Sequence, residues 1–485
     1  MSRAIAQKAV SGTLWVAGAN YIRFAVTAVA SIITARLVAP EAFGQYAMAG
    51  VFVFLAARFQ MLGFDEALVH QPNPAPAHYS THRLLNLGIY SAIFLLAIPG
   101  AWLVAKFYGR TVGLIFIALM AASGSAIFSL TPSVILQKML MYREIALIAL
   151  ASCLVSSGLM VFTAWLGWGP WALVAGTSSG ILVGLVGNLL VCPFSIGWEY
   201  DKKIKDWFFS YGPYWRWFLG MSAQSLSQQF DSFTVGTVRG NTELGFYSKA
   251  LNWANLPTTQ VAHVIASTAF PTYSRLQNNR QALSQAYQKV LSAVFRISLW
   301  IGLGMVFCAR EGTIVLIGER WLPIVNILRW LALMMLLRPF YDLAGGLLAA
   351  VGRPKAAMDA LIWQGGWMVL TCFPFVYLWG KEGVAMCVAV SSAVGIIVVY
   401  RQVVKEVDLN IKKILLNPAL AAGAGLALSM LAYLPRTDSL LVLLILKAGL
   451  LSLGYLLMIW LLEKNEWMDL WHKYIRPAKD GELKV

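Results

Sequence analysis

Three observations predict an all-α polytopic membrane protein of about fourteen transmembrane helices. Apolar runs of roughly 20 residues recur along the whole 485-residue chain. Hydrophobic residues make up 59% of it and charged residues only 12%, about half the charge of a soluble chain. Its 19 tryptophans and 18 tyrosines suffice for aromatic belts where helices meet the lipid headgroups. This composition excludes an ordinary soluble enzyme.

The first run, 12–35, carries Arg23 inside it, and no small-residue cleavage site follows Met1–Val10. It is therefore a span and not a cleaved signal. The second, 43–63, holds Arg58 near one end. Four more apolar windows follow at 84–107, 112–136, 144–166 and 171–193. The windows at 213–237 and 246–270 are the most polar. Six others, 286–308, 324–350, 357–379, 383–403, 415–434 and 439–462, complete the set. An even number of spans places both termini on one side. With the termini inside, internal loops and tails collect about 22 Lys/Arg and external loops about 8, so the positive-inside rule puts both termini in the cytoplasm. The net charge of +16 is then a cytoplasmic face beside anionic headgroups, not a nucleic-acid site.

The loops are short. Asp65–Arg83 contains the proline-rich stretch Gln71–Pro76, and Ser195–Ser210 carries Lys202, Lys203 and Lys205 as a charged, membrane-lying linker. Neither can hold a catalytic domain. No phosphate-binding GxxxxGK[ST] loop is present, so no ATP site is encoded. The five cysteines fall in apolar stretches without a CxxC pair, which implies neither a disulfide framework nor a metal site. His78 and His82 have the i, i+4 spacing of metal ligands, yet they follow the proline-rich loop without an adjacent acid and are read as loop histidines. No cofactor is implied.

The segment Phe43-Gly-Gln-Tyr-Ala-Met-Ala49 recurs as Leu244-Gly-Phe-Tyr-Ser-Lys-Ala250, with Glu41 and Glu243 just before the two copies. The offset of about 200 residues is six spans, and an even number preserves orientation. Two parallel six-helix bundles related by pseudo-two-fold symmetry are therefore expected, 1–200 and 201–405, around a central cleft. Residues 406–485 would add two extra helices and a cytoplasmic tail.

Helical spacing gathers polar residues into stripes. Asn20, Arg23, Thr27, Ser31 and Thr34 share a face of the first span. Gln224, Gln228 and Asp231 share one in the seventh, and Lys249, Asn252, Asn255, Thr259 and His263 one in the eighth. An ionisable side chain at mid-membrane costs about 2.5–3.5 kcal/mol on insertion scales, so such stripes point to a wet cavity. Simpler roles stand beside this one. Ser and Thr can bond the preceding helical turn, Arg58 can snorkel, Arg216 sits in an aromatic anchor cluster, and Lys447 is read as a snorkelling or helix-packing residue. Arg23 and Asp231 lie deepest and are hardest to explain by anchoring.

The run Glu243–Ala250, then Asn255-Leu-Pro257, then Phe270-Pro-Thr-Tyr-Ser-Arg-Leu276 resembles the middle of Wzx-type oligosaccharide flippases. Leu62-Gly-Phe-Asp-Glu-Ala67 and Leu347-Leu-Ala-Ala-Val-Gly-Arg-Pro-Lys355 extend the likeness over most of the chain. These proteins belong to the multidrug/oligosaccharidyl-lipid/polysaccharide exporter superfamily. The resemblance implies alternating access without covalent chemistry, in a bacterial cytoplasmic membrane. It further implies an undecaprenyl-diphosphate oligosaccharide as substrate for exopolysaccharide or O-antigen assembly, alongside a polysaccharide polymerase and chain-length or export proteins. The superfamily's lipid II flippases carry cavity arginines in their first, second and eighth spans. Arg23 and Arg58 match the first two, and Lys249 stands in the third place.

Substrate contacts are thus expected from Arg23, Arg58, Asn20, Gln224, Gln228, Lys249 and Asn252, and ion coupling or gating from Asp231 and His263. Two other functions stay open: a cation-coupled multidrug exporter of the same superfamily, and a polytopic glycan polymerase or ligase. The absence of a sizeable external loop speaks against the enzyme.

Overall fold

Lipid offers backbone N–H and C=O groups no water, so spanning segments must satisfy them internally as helices. The computed structural model describes residues 3–58, 63–210, 229–434 and 438–474, and the regular structure among them is entirely helical. The helices are α1 (Arg3–Leu37), α2 (Pro40–Arg58), α3 (Phe64–His70), α4 (Pro76–Tyr108), α5 (Arg110–Ser125), α6 (Ile127–Lys138), α7 (Tyr142–Trp165), α8 (Pro170–Val191) and α9 (Lys202–Ser210). Helix α10 (229–239) precedes α11 (Asn241–Leu276), α12 (Arg280–Phe307), α13 (Ala309–Ile317), α14 (Val325–Ala350), α15 (Pro354–Glu406), α16 (Ile411–Met430) and α17 (Leu440–Tyr474). Among the described residues nine segments are long and apolar enough to cross a membrane, ten if the bent pair α5–α6 forms one span. The apolar windows fall on these helices, except that 59–62 and 213–228 lie outside the described residues.

Helix α15 hides a reversal. Its 53 residues are broken at Gly380, where φ is 64° and ψ −144°, a backbone region natural to glycine. In a straight helix Gln364 and Gly395 would stand about 46 Å apart. Instead, a Cβ on Gly395 would lie 2.9 Å from Gln364 Oε1. The helix therefore doubles back, which separates the windows 357–379 and 383–403 as the sequence predicts.

The chain divides into two compact units, Met1–Lys249 with Met368–Val384, and Ala250–Trp367 with Ala385–Val485. In the first, α7 and α8 pack through small residues. Gly176 and Gly180 of α8 meet Ser156, and Gly184 meets Ser152, the close backbone approach that holds membrane helices together in the absence of a hydrophobic driving force. Helix α9 turns Phe208 into a core of Phe64, Ala67, Leu68 and Val134, while Phe209 and Lys202 stay exposed.

In the second unit, Tyr273, Tyr287, Leu347 and Val403 belong to a fully buried cluster. Two ion pairs tie α17 to α13 and α12. Lys447 of α17 reaches Glu311 of α13 at 2.7 Å with both side chains buried, its ammonium 4.3 Å from the Tyr433 ring centroid. Arg296 of α12 meets Glu463 at 2.7 Å, and Asn417 of α16 donates to the same carboxylate oxygen. Lys447 therefore does not snorkel: it makes a helix-packing contact through its charge, because a carboxylate on a neighbouring helix lowers the cost of burial.

Candidate functional site

The first polar stripe runs along α1. Arg23 is exposed, and its guanidinium donates to Asn20 Oδ1 at 3.3 Å. Among the described residues no carboxylate pairs with Arg23. Thr27 Oγ1 meets Cys153 of α7 at 3.5 Å, which fixes the α1–α7 crossing beside it. Thr34 bonds back to Ala30 O, the ordinary intrahelical role of a threonine. Arg58 closes α2 half-buried, its guanidinium 4.5 Å from the Phe54 ring centroid.

The second stripe is seen in part, since Gln224 and Gln228 lie outside the described residues. Asp231 on α10 is 4% exposed. Its Oδ2 accepts from the Tyr247 hydroxyl of α11 at 2.7 Å, and its Oδ1 accepts from the Ser232 N–H. On α11, Lys249 is 3% exposed. Its ammonium donates to Ser31 O at 2.9 Å and Ser31 Oγ at 2.8 Å and lies 4.8 Å from the Phe43 ring centroid. Asn252 is exposed. His263 lies on α11, and its side chain falls outside the described residues. The structure thus joins the first and third stripes through Lys249–Ser31, while Asp231 bonds Tyr247 of the same helix that carries Lys249.

The two copies of the repeated segment meet. Both lie at helix N-termini, α2 beginning at Pro40 and α11 at Asn241. A Cβ on Gly44 would overlap the carbonyl oxygen of Asn241 and sit 2.9 Å from Gly245 N. A Cβ on Gly245 would overlap the carbonyl oxygen of Pro40 and sit 3.1 Å from Gly44 N. The offset of about 200 residues between the copies relates Pro40 to Asn241 and Gly44 to Gly245, so the contact is reciprocal. Only glycine lets two helix backbones approach so closely. The hairpin tip of α15 braces this crossing. Lys381 pairs with Glu243 at 2.6 Å, and Arg239 donates to Val376 O at 2.9 Å and Tyr377 O at 3.2 Å.

A further polar cluster joins α3, α4 and α6. His82 lies on α4, not in a loop, and is fully buried. Its Nε2 meets Asp65 Oδ1 at 2.9 Å and its Nδ1 meets Thr131 Oγ1 at 2.9 Å. Asp65 stands 17 positions upstream across the proline-rich stretch, so local spacing does not connect the two. Beside it, Lys138 Nζ donates to Leu68 O at 3.3 Å and to Gln71 O, capping the carbonyl end of α3. No group of three His, Cys, Asp or Glu that could hold a metal occurs among the described residues.

Residues 33–326 match a family described as polysaccharide biosynthesis protein. The chain is 23% identical over 318 residues to the teichuronic acid biosynthesis protein TuaB of Bacillus subtilis, covering 64% of each chain. It is 22% identical to the lipopolysaccharide biosynthesis protein WzxC of Escherichia coli, over 72% of this chain and 71% of that one. The succinoglycan biosynthesis transport protein ExoT of Rhizobium meliloti is 26% identical over 62% of this chain and 61% of its own. The matched parts thus span under two thirds of TuaB and ExoT. A solved structure of the lipid II flippase MurJ in an inward closed conformation superposes with a TM-score of 0.78 at 14% identity, covering 93% of this chain and 98% of that one. An inward-facing multidrug MATE transporter gives 0.59 at 16% identity, over 78% and 93%. These two share the fold. The family match takes in more than half of the chain, which belongs to the polysaccharide biosynthesis protein family, with TuaB, WzxC and ExoT among its relatives.

Proposed function

We propose that the protein flips undecaprenyl-diphosphate-linked oligosaccharide repeat units across a bacterial cytoplasmic membrane by alternating access, without covalent chemistry. The observation that carries this reading is Arg23, an exposed guanidinium that no described carboxylate neutralises. It lies about 12 Å along α1 from Trp15, too deep for easy snorkelling. An arginine fork suits phosphate oxygens, and partial desolvation strengthens the bond. In this reading Asn20 and Asn252 serve sugar hydroxyls together with Gln224 and Gln228, and Arg58 assists at the diphosphate. Lys249 joins the substrate after leaving Ser31. Fourteen spans form two six-helix repeats, 1–200 and 201–405, followed by two extra helices and the tail in 406–485. In cells, loss of the protein should trap lipid-linked repeat units in the inner leaflet. If extracted lipids from depleted cells held no excess of them, this assignment would fail.

The topology follows from the charge bias. A cysteine replacing Lys203 should react with an impermeant maleimide only in inside-out vesicles, and one replacing Gly240 only from outside. Reversed labelling at both sites would overturn the topology and the parallel repeat together.

The Gly44–Gly245 crossing then lies at the outer end of the repeats, where it acts as the outer gate. A methyl group at either position forces the backbones apart at an overpacking cost of about 1–3 kcal/mol, which shifts a closed-to-open ratio roughly 5- to 150-fold. Gly44→Ala should therefore slow transport at least fivefold and raise maleimide labelling of a cysteine at Asn241. Unchanged labelling would show that the crossing does not open.

Asp231 is assigned to cation coupling or gating, and His263 of the α11 stripe is assigned to the same role. A gradient supplies about 2.3 kcal/mol per charge per 100 mV, enough to bias a rocking equilibrium. Asp231→Asn should leave downhill flipping in place while removing its dependence on a proton or sodium gradient. Wild-type gradient dependence in the variant would reduce Asp231 to a structural partner of Tyr247. A cation-coupled multidrug exporter is the competing reading, favoured by that buried carboxylate; it predicts transport of lipophilic cations and indifference to Arg23.

A further inference from the structure

A groove lies between α1 and α7. It encloses about 260 Å³ and is lined entirely by apolar side chains and glycine, with Trp15, Gly18 and Ile22 on α1 and Leu147 and Leu150 on α7. These positions follow helical spacing on each helix, so the groove is a continuous stripe and not a chance gap. Gly18 leaves its floor open: a Cβ there would meet nothing within 4 Å. About 150 Å³ of apolar cavity already holds a benzene-sized body, so this volume accepts a short stretch of branched hydrocarbon.

One end of the groove is cationic. Arg143 opens α7 one turn before the lining residues, is exposed, and holds its guanidinium 5.3 Å from the ring centroid of Trp15. Arg23 stands about 12 Å further along α1 from Trp15, one turn beyond the buried lining residue Ala19. The groove is thus an apolar channel with an arginine at its mouth and another near its far end. This charge pattern complements a phosphate-bearing lipid whose first hydrocarbon units lie along the stripe.

We infer that the α1–α7 groove is the loading site for the polyprenyl diphosphate of the substrate, with the diphosphate on Arg143 and the first isoprene units against Trp15, Gly18 and Leu147. The inference rests on the flippase reading and deepens it, adding a station that precedes Arg23. From Arg143 the diphosphate moves along α1 to Arg23 while the chain stays in the groove. Trp15 serves both stages, its ring stacked by Arg143 and its edge against the hydrocarbon.

The test uses the full chain in phosphatidylethanolamine/phosphatidylglycerol vesicles and an undecaprenyl diphosphate carrying a photoreactive group on an early isoprene unit. Labelled peptides should map to 15–22 and 146–150. Arg143→Ala and Leu147→Trp should each cut that labelling at least fivefold, and Leu147 is exposed, so its replacement leaves the core untouched. Unlabelled undecaprenyl diphosphate should compete, and added phosphatidylglycerol should not. Labelling elsewhere, or equal competition by phosphatidylglycerol, would overturn the inference and identify the groove as a seat for ordinary membrane lipid. The flippase reading is judged separately on the same vesicles. Normal flipping with an unlabelled groove removes only the loading site. A labelled groove without flipping upholds the site and removes the transport assignment.

Discussion

Replacing Arg23 by alanine should nearly abolish flipping while protein levels in the membrane stay unchanged. Arg23 is exposed and bonded only weakly, to Asn20 at 3.3 Å, so its removal leaves no buried partner stranded and should not unfold α1. A charge-assisted bond to a phosphate contributes about 1.5–3 kcal/mol, which translates to roughly ten- to a hundredfold in affinity. Arg23→Lys keeps the charge and loses the planar fork, so it should fall between the two. Binding of undecaprenyl diphosphate to purified protein, measured for all three, checks the order. Equal affinities would remove the phosphate from Arg23.

Truncating one partner of the Lys447–Glu311 pair should destabilise the second unit by about 3–5 kcal/mol, the usual consequence of leaving a buried charge alone. Both side chains are nearly inaccessible, and the pair joins α17 to α13. The double variant Lys447→Met with Glu311→Leu removes both charges and keeps the volume, so it should recover most of the loss. Thermal unfolding in detergent distinguishes these outcomes: two destabilised single variants and a restored double. Full stability in Lys447→Met alone would mean the pair contributes little.

The pattern of spans was legible because it is local. Each window carries its own apolar run, and Gly380 interrupts the one long stretch where α15 reverses. The likeness of the two segments was legible too, as Gly44 and Gly245 occupy matching places in them. That the two glycines touch was not, since sequence similarity gives equivalence and not proximity. The partner of a buried charge was not legible for a related reason: Lys447 lies 136 positions from Glu311, so its helix-packing role was readable but the carboxylate it packs against was not. His82 failed similarly: its acid stands across a proline-rich stretch, and helix α4 begins at Pro76, earlier than the apolar run suggests. Proline is at home in a first helical turn, which is why the helix extends back over polar Tyr79 and Ser80. Of the expected substrate contacts, Arg23 and Asn20 stand together and exposed. Lys249 instead binds Ser31, a pairing between two stripes that helical spacing alone could not reveal.

Purified protein in vesicles decides whether this chain moves a lipid-linked oligosaccharide. Undecaprenyl-diphosphate oligosaccharide with a fluorescent sugar would be placed in both leaflets, and an impermeant reagent added outside to quench the exposed fraction. Protein-free vesicles should lose about half the signal. Vesicles holding the wild type should lose nearly all of it, and those holding Arg23→Ala should behave like protein-free vesicles. Quenching that stops at half with the wild type, or proceeds to completion with Arg23→Ala, would contradict the mechanism.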